Sequence, residues 1–120
     1  YFTWNEMLFP DPKKMSDDIR DQGKEMVTIV DPHIKVSESY FVYTSGVKKD
    51  VFVKQVNYRR HPPRTKIFEA DCWPGLSAWP DFISPRVRDW WGLFFKPDGL
   101  NDNFYAWNDM NEPSVFNVPE

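Results

Sequence analysis

The feature that most constrains the fold is a unit that occurs twice in the sequence. It consists of a helix whose start is indicated by a capping residue and a proline, followed by a short apolar run. The first helix is marked in the segment PDPKKMSDDIRDQGKE. Asp11 can accept hydrogen bonds from first-turn amides, Pro12 fits the first helical position, and Gly23 suits the end. This punctuation predicts a helix over about 12–22.

The second helix is marked in SPRVRDWWGLFFK, where Ser84 can cap the helix and Pro85 can open it. Its apolar residues recur at helical spacing, and they are Val87, Trp90, Trp91 and Phe94. A stripe this wide is typical of a helix packed onto a sheet.

Each predicted helix leads into an apolar run, MVTIV at 26–30 and FYAW at 104–107. Neither run alternates cleanly with polar residues, so both are predicted to be buried strands. The order helix, strand, helix, strand predicts an α/β fold with a parallel sheet. Polar residues follow both runs, at the carboxyl edge where such folds place functional groups.

Residues 34–83 separate the first strand from the second helix, with an inserted part at about 34–72, which is far too long for a plain loop. In FVYTSGVKKDVFVKQV, two β-rich arms around Ser45-Gly46 and Lys48-Lys49-Asp50 predict a hairpin. The segment RRHPPRTK is interpreted as a basic loop interrupted by prolines. Two such units with an insertion do not close a barrel of about 250 residues. The chain, which starts at Tyr1, is therefore expected to be a piece of a longer protein.

Composition argues against several classes of function. The net charge is −3 and the pI is about 5.4, so no basic footprint for nucleic acid is predicted. No stretch reaches the roughly 18 apolar residues of a membrane span, and no phosphate-binding or dinucleotide motif occurs. Cys72 is the only cysteine, His33 and His61 are the only histidines, and no HExxH pattern is present. We therefore predict neither a metal nor a cofactor.

The segment FYAWNDMNEPSVFNVPE concentrates the chemistry of the chain. Asp109 and Glu112 follow the second predicted strand, and glycoside hydrolysis needs two carboxyl groups flanking the scissile bond. Two acids this close are also common as solvated loop residues or as caps of a following helix. The spacing alone leaves both interpretations open.

Tryptophans favour a sugar site over a plain loop. Trp107 lies two residues before Asp109, on the same side of an extended strand, and Trp73 lies in the bend CWPG. An aromatic face beside a carboxylate suits a sugar ring, so a carbohydrate-binding module without chemistry is the main alternative. For Trp79, Trp90 and Trp91 we expect core packing instead.

The segment YAWNDMNEPSVFN resembles the active-site signature of glycoside hydrolase family 31, the retaining α-glucosidases. Other segments follow in the family's order: YFTW, VTIVDPHI, CWPG with PDF, and SPRVRDWW. Only residues 36–68 lie outside the resemblance. It implies a (β/α)8 barrel, of which this chain would supply about strands 3 and 4 with an inserted β-rich loop.

The resemblance also implies roles for individual residues. Asp109 would be the catalytic nucleophile that forms a covalent β-glucosyl-enzyme, with Glu112 in support. The glucose pocket would be lined by Trp73, Trp107, Met110 and Ile29. Asp31 and His33 would be structural supports.

Within the family, the segments VDPHIKV, CWPG and WNDMNEPSVFN most resemble the branch that trims α-1,3-linked glucose from N-glycans in the endoplasmic reticulum. This implies an α-glucoside or N-glycan substrate, a possible regulatory β subunit and a place in that organelle's lumen. A cytosolic branch acting on α-glucans is the alternative.

Two departures from the family pattern are Val118 and Ala70, where glycine is usual. The family's acid/base aspartate follows well after the nucleophile and is not in this chain. The chain alone is therefore expected to be inactive.

Overall fold

The computed structural model describes residues 1–95 and 104–117. The described chain contains three helices and seven strands. In chain order they are α1 (Pro12–Asp21), β1 (Met26–Val30), β2 (Ile34–Lys35), α2 (Phe41–Lys48), β3 (Lys54–Asn57), β4 (Arg64–Ile67), β5 (Glu69–Cys72), β6 (Gly75–Ala78), α3 (Pro85–Gly92) and β7 (Phe104–Asn108). A 3₁₀ turn, Leu93–Phe95, extends α3.

Helix α1 confirms the first predicted helix to within a residue. The Asp11 carboxylate accepts a hydrogen bond from the Lys14 amide at 2.8 Å, and Pro12 occupies the first turn. Gly23 follows the end with a φ of 71°, a conformation that suits a residue without a Cβ.

Helix α3 confirms the second predicted helix, with one difference at its start. The Ser84 side chain makes no capping hydrogen bond, and the Ser84 carbonyl instead accepts from the Val87 and Arg88 amides. Val87 and Trp90 are buried, while Trp91 is half-buried against the same core. The expectation of core packing is therefore confirmed for Trp90, and also for Trp79, which is 3% exposed.

Strands β1 and β7 pair in parallel, with Met26 opposite Phe104 and Val30 opposite Asn108. The predicted α/β pairing is confirmed, but the prediction that both strands are buried is wrong, because β1 is buried only in part and every residue of β7 after Phe104 is exposed. One face of the pair is apolar and open. That face carries Val27, Ile29, Tyr105 and Trp107, all exposed. Exposure alternates along β1 because the sheet has only two described strands and no other described element covers that face.

The predicted hairpin around Ser45-Gly46 is wrong, because the segment forms α2. Val42 and Gly46 lie one turn apart on its buried face. The Phe52 ring lies so close that a Cβ on Gly46 would be 2.6 Å from it, so this glycine lets the helix approach the core. Val42, one of the residues that suggested a strand, packs into the core from this helix, because tertiary contact overrides propensity.

The hairpin of the insertion lies further along the chain. Strand β3 pairs antiparallel with β4, from Lys54 opposite Ile67 to Asn57 opposite Arg64. The predicted proline-interrupted loop is confirmed for residues 59–63, whereas residues 64–66 belong to the strand. A second antiparallel sheet has the order β2-β6-β5.

The core is formed mainly by the insertion and α3. Its buried members are Phe2, Val30, Ile34, Val42, Val51, Phe52, Ala78, Val87 and Trp90. Phe2 packs against Trp91 and Phe94, with ring centroids 5.1 and 4.9 Å away. These contacts join the start of the chain to α3. No helix within the described ranges is long and apolar enough to cross a membrane.

Candidate active site

The loops that follow β1 and β7 emerge at the same edge of the parallel pair. The Asp109 amide donates to the Val30 carbonyl at 3.4 Å, which continues the strand pairing by one residue. Asp31 and Asp109 therefore follow neighbouring strand ends. The predicted meeting of the two acidic loops at one carboxyl edge is confirmed.

Asp109 is half-buried at the start of a tight turn. One of its carboxylate oxygens accepts from the Met110 amide at 3.0 Å, and the Ser114 amide donates to the Met110 carbonyl at 3.1 Å. Met110 has a φ of 52°, a left-handed conformation that costs a non-glycine residue about 1–2 kcal/mol. Such strained positions are concentrated at functional sites, and this one bends the chain immediately after the carboxylate.

Ile29 and Trp107 are directly opposite each other in the register of the parallel pair. Ile29 is 46% exposed and Trp107 is 54% exposed, on the face that no other described element covers. An aliphatic and an aromatic side chain thus form an open apolar surface. It lies two residues before Asp31 on β1 and two residues before Asp109 on β7.

A polar cluster formed by Tyr1, Asp31 and His33, of which the last two are buried, lies beside these loops. The Tyr1 hydroxyl donates a short hydrogen bond to Asp31, and its oxygen is 3.2 Å from His33 Nε2. His33 Nε2 is also 3.5 Å from the Asp31 carboxylate. Asp31 is 8% exposed and His33 is fully buried.

Burial shifts the pKa values in this cluster. It lowers the pKa of His33, an effect that the nearby Asp31 carboxylate partly opposes. Burial, together with the hydrogen bond to Asp31, raises the pKa of the Tyr1 hydroxyl above its usual value. The cluster is therefore a neutral histidine and a neutral tyrosine around one carboxylate.

Trp73 lies over this cluster, in the turn between β5 and β6. Its ring centroid is 5.2 Å from that of His33 with an interplanar angle of 31°, and 4.7 Å from that of Phe116 at 66°. Gly75 has a φ of 92° and closes the turn, as the CWPG bend predicted. The indole is nevertheless 56% exposed, so part of it faces an open space.

The insertion is attached to the loop that carries Asp109. The Phe116 amide donates to the Asp71 carbonyl at 2.9 Å, and the Cys72 thiol lies 3.5 Å from the Ser114 carbonyl oxygen. Strand β5 thereby holds the loop after Asp109 and presents Trp73 beside it. Burial also raises the pKa of the Cys72 thiol, which keeps it protonated.

Two cavities adjoin this region. One of about 580 Å³ is lined by Tyr1, Thr3, His33, Lys35, Ser37, Ser39, Tyr40, Trp73 and Pro74. Another of about 200 Å³ reaches Thr28, Ile29 and Val30 from the first residues of the chain. Hydroxyl groups and aromatic rings predominate in the first cavity. Among the described residues, no group of three His, Cys, Asp or Glu side chains could hold a metal ion.

Several residues named from the sequence lie apart from these contacts. Glu112 is exposed in the turn 111–113, and its side chain has no hydrogen-bond partner within the described part of the chain. Ala70 lies in β5 opposite Ser77 without a positive φ, so this position does not require glycine. Val118 lies outside the described residues.

No role was predicted for Tyr1 or Phe116, although both contact the site. Tyr1 belongs to the YFTW segment, and Phe116 follows the acidic cluster within PSVFN. The only available signal was that aromatic residues border the chemically loaded segments. Hydrogen bonding across 30 residues, as between Tyr1 and Asp31, leaves no local pattern in the sequence.

Comparison with known proteins identifies the class. All 120 residues match the TIM-barrel domain of glycosyl hydrolases family 31, and the chain belongs to this family. The described residues are consistent with part of a barrel, since they form an α/β arrangement without closing one.

Individual relatives are α-glucosidases. The chain is 44% identical to a probable glucan 1,3-alpha-glucosidase of Oryza sativa subsp. japonica and 45% identical to neutral alpha-glucosidase C of Mus musculus. It covers 13% of each relative, and each alignment includes the whole chain.

Solved structures give the same result. The chain is similar to the alpha subunit of glucosidase II bound to alpha3-Glc2, with a TM-score of 0.83 and 43% identity over 99% of this chain and 12% of that one. The same values hold for the endoplasmic reticulum glucosidase II heterodimer of the catalytic subunit with the binding domain of its regulatory subunit.

Proposed function

We propose that the whole protein containing this chain is a retaining, exo-acting α-glucosidase of the glucosidase II type, in which Asp109 is the nucleophile. The observation that carries the proposal is the position of Asp109. It follows the parallel strand that carries Trp107, is held by the Met110 turn, and lies just past the Ile29 and Trp107 surface. Family membership over all 120 residues supports it.

In this mechanism the Asp109 carboxylate attacks the anomeric carbon of the terminal glucose, and the bond from that carbon to the leaving oxygen breaks. An acid group elsewhere in the whole protein protonates the leaving oxygen. The same group then takes a proton from water, which attacks the β-glucosyl-enzyme and releases glucose and the free carboxylate. This chain supplies the attacking group but not the acid.

The pocket for the terminal glucose would combine Trp73, Trp107, Met110 and Ile29. Two half-exposed indoles offer apolar faces for the C–H groups of a sugar ring, while Asp109 lies at the end of the strand that carries Trp107. In this proposal Glu112 and Asp31 support the loops that hold Asp109, and His33 is a structural support.

The preferred substrate is an α-1,3-linked glucose at the end of an N-glycan. The plant relative is described as a glucan 1,3-alpha-glucosidase, and a solved relative was bound to alpha3-Glc2. We extend to the whole protein a place in the endoplasmic reticulum lumen and a regulatory subunit, as in the solved heterodimer. Similarity to neutral alpha-glucosidase C favours a second candidate, a cytoplasmic enzyme acting on α-glucans.

Replacement of the nucleophile tests the proposal. In the whole protein, Asp109→Asn is expected to reduce kcat for 4-nitrophenyl α-glucoside by about 10⁴-fold or more, because an amide cannot form the covalent intermediate. Asp21→Asn, on the exposed side of α1, serves as the matched control and should leave kcat unchanged. Full activity of Asp109→Asn would contradict the assignment.

Two further measurements, of substrate preference and of location in the cell, distinguish the first candidate from the second. Glucose release from a glucosylated N-glycan should exceed release from maltose, and the natural full-length protein should be retained in the endoplasmic reticulum lumen. Preference for maltose together with cytoplasmic location would favour the second candidate instead. A third candidate, a carbohydrate-binding segment, predicts that the whole protein binds glucosides but releases no glucose.

A further inference from the structure

We propose that His33 is a positioning residue that, with Tyr1 and Asp31, fixes the orientation of the Trp73 indole for glucose binding. The inference rests on the proposed function, in which Trp73 lines the glucose pocket. It assigns His33 and Tyr1 a role in substrate affinity that is exerted through Trp73 and involves no contact with the reacting atoms.

The direction of each hydrogen bond in the cluster follows from proton counting. Tyr1 has one hydroxyl hydrogen, and it is donated to the Asp31 carboxylate. The Tyr1 oxygen, 3.2 Å from His33 Nε2, must therefore act as the acceptor in that contact. His33 thus carries its hydrogen on Nε2, and Nδ1 is a bare acceptor. The buried Nδ1 atom has no hydrogen-bond partner among the described residues, which agrees with a neutral ring.

This cluster locks the histidine ring in place. The ring is fully buried, it donates through Nε2, and the Tyr1 ring meets it edge-on with centroids 5.6 Å apart. Asp31 is held in turn by the Tyr1 hydroxyl. The imidazole therefore has neither the space nor the hydrogen-bonding freedom to rotate.

The locked imidazole backs one face of Trp73. The two rings are tilted by only 31°, whereas Phe116 meets the indole at 66° and restrains its tilt from another side. More than half of the indole remains exposed. Loss of the imidazole would let the indole tip inward, and its exposed surface would no longer match a sugar ring.

A double-mutant cycle in the whole protein tests this proposal. The measured quantity is the dissociation constant of the glucose mimic 1-deoxynojirimycin, by titration calorimetry, in Trp73 and Trp73→Ala backgrounds. We expect His33→Leu to weaken binding about tenfold when Trp73 is present and less than about twofold when it is absent, a coupling typical of residues in contact. His33→Gln, whose amide can donate to Tyr1, should recover most of the loss.

Tyr1→Phe provides a second cycle that leaves no cavity at the tyrosine ring. It removes the hydroxyl that organises the cluster and should weaken binding about threefold, again only when Trp73 is present. If thermal unfolding shows that His33→Leu does not fold, the Tyr1→Phe cycle alone tests the positioning role. Tyr58→Phe, on the exposed turn of the β3–β4 hairpin, is the matched control and should bind normally.

Equal losses in both Trp73 backgrounds, or no loss in either, would overturn the positioning role while leaving the proposed glucosidase intact. Normal binding by Trp73→Ala would overturn both the positioning role and the placement of Trp73 in the pocket. Glucosidase activity of the whole protein that does not depend on Asp109 would instead contradict the proposed function alone.

Discussion

At the scale of single residues, the site combines strain with buried polar groups. Met110 adopts a left-handed backbone beside Asp109, and His33 is fully buried with one nitrogen unpaired among the described residues. Both features cost stability, and both lie next to the residues that the proposed chemistry uses. The sequence indicated Asp109 and Trp73 because carboxylates and tryptophans occurring in the same segments suit a sugar site. It could not indicate Tyr1, whose contact with Asp31 exists only in the folded chain.

The buried histidine gives stability a pH dependence. The pKa of His33 is lowered in the fold, so below its unfolded value of about 6.5 the unfolded state binds more protons. Stability contributed by neutral His33 is therefore present above about pH 6.5 and is lost as the pH falls below it. The whole protein should lose up to about 1.4 kcal/mol per pH unit from this group.

The check is thermal unfolding at pH 5.5 and 7.5 for the natural protein and for His33→Gln, which cannot titrate. We expect the drop in Tm on acidification to be smaller in the variant. Asp31 and Tyr1 are the groups that face the imidazole. Because Tyr1→Phe keeps the titrating histidine, it should change the drop in Tm less than His33→Gln does. Identical drops in the natural protein and His33→Gln would contradict a depressed pKa at His33.

At the scale of elements, local signals were reliable where punctuation and periodicity agreed. Helices α1 and α3 begin with proline in the first turn, and their starts followed from that pattern. Helix α2 was missed because Phe41, Val42 and Val47 favour a strand by type. Its helical state depends on Gly46 packing against Phe52, which is a tertiary contact.

Helices α2 and α3 provide a matched pair of glycine substitutions. Gly46→Ala should destabilise the protein by about 1–3 kcal/mol, because the added Cβ would meet the buried Phe52 ring at 2.6 Å. Gly92→Ala, in α3, has no heavy atom within 4 Å of the added Cβ and should be neutral or stabilising by up to about 1 kcal/mol. Urea unfolding of both variants measures the difference, and equal stabilities would contradict the packing of α2.

At the scale of the whole molecule, the exposed face of the β1–β7 pair is the clearest feature. Val27, Ile29, Tyr105 and Trp107 form an apolar surface without cover in the described chain. Family membership in a TIM-barrel domain explains it, because inward-facing strand residues of a barrel are covered only when all eight strands are present. The alternation along β1 could not be predicted from MVTIV, in which both faces are apolar.

The exposed face predicts how substitutions behave in the whole protein. Val27 is 58% exposed here, yet Val27→Lys should destabilise the complete barrel by about 3 kcal/mol or more, because it would bury an unpaired charge. Lys24→Ala, just before β1, is the control and should change the stability by less than about 0.5 kcal/mol. If thermal unfolding shows both variants to be equally stable, this face does not point into a barrel.

The isolated 120-residue chain should also release no 4-nitrophenol from 4-nitrophenyl α-glucoside. It contains the proposed nucleophile, but retention requires a second carboxyl group to protonate the leaving oxygen. A purified chain with activity that survives repeated chromatography would contradict this expectation.

The most direct test of the central claim is covalent labelling of the whole protein by a glucose-configured cyclitol epoxide, followed by peptide mass spectrometry. A carboxylate nucleophile opens the epoxide and forms a stable ester, whereas a residue that only binds sugar does not. We predict one added inhibitor mass on the peptide that contains Asp109, and no label on that peptide in Asp109→Asn. A label on another carboxylate, or an active enzyme that remains unlabelled at Asp109, would contradict the assignment of Asp109 as the nucleophile.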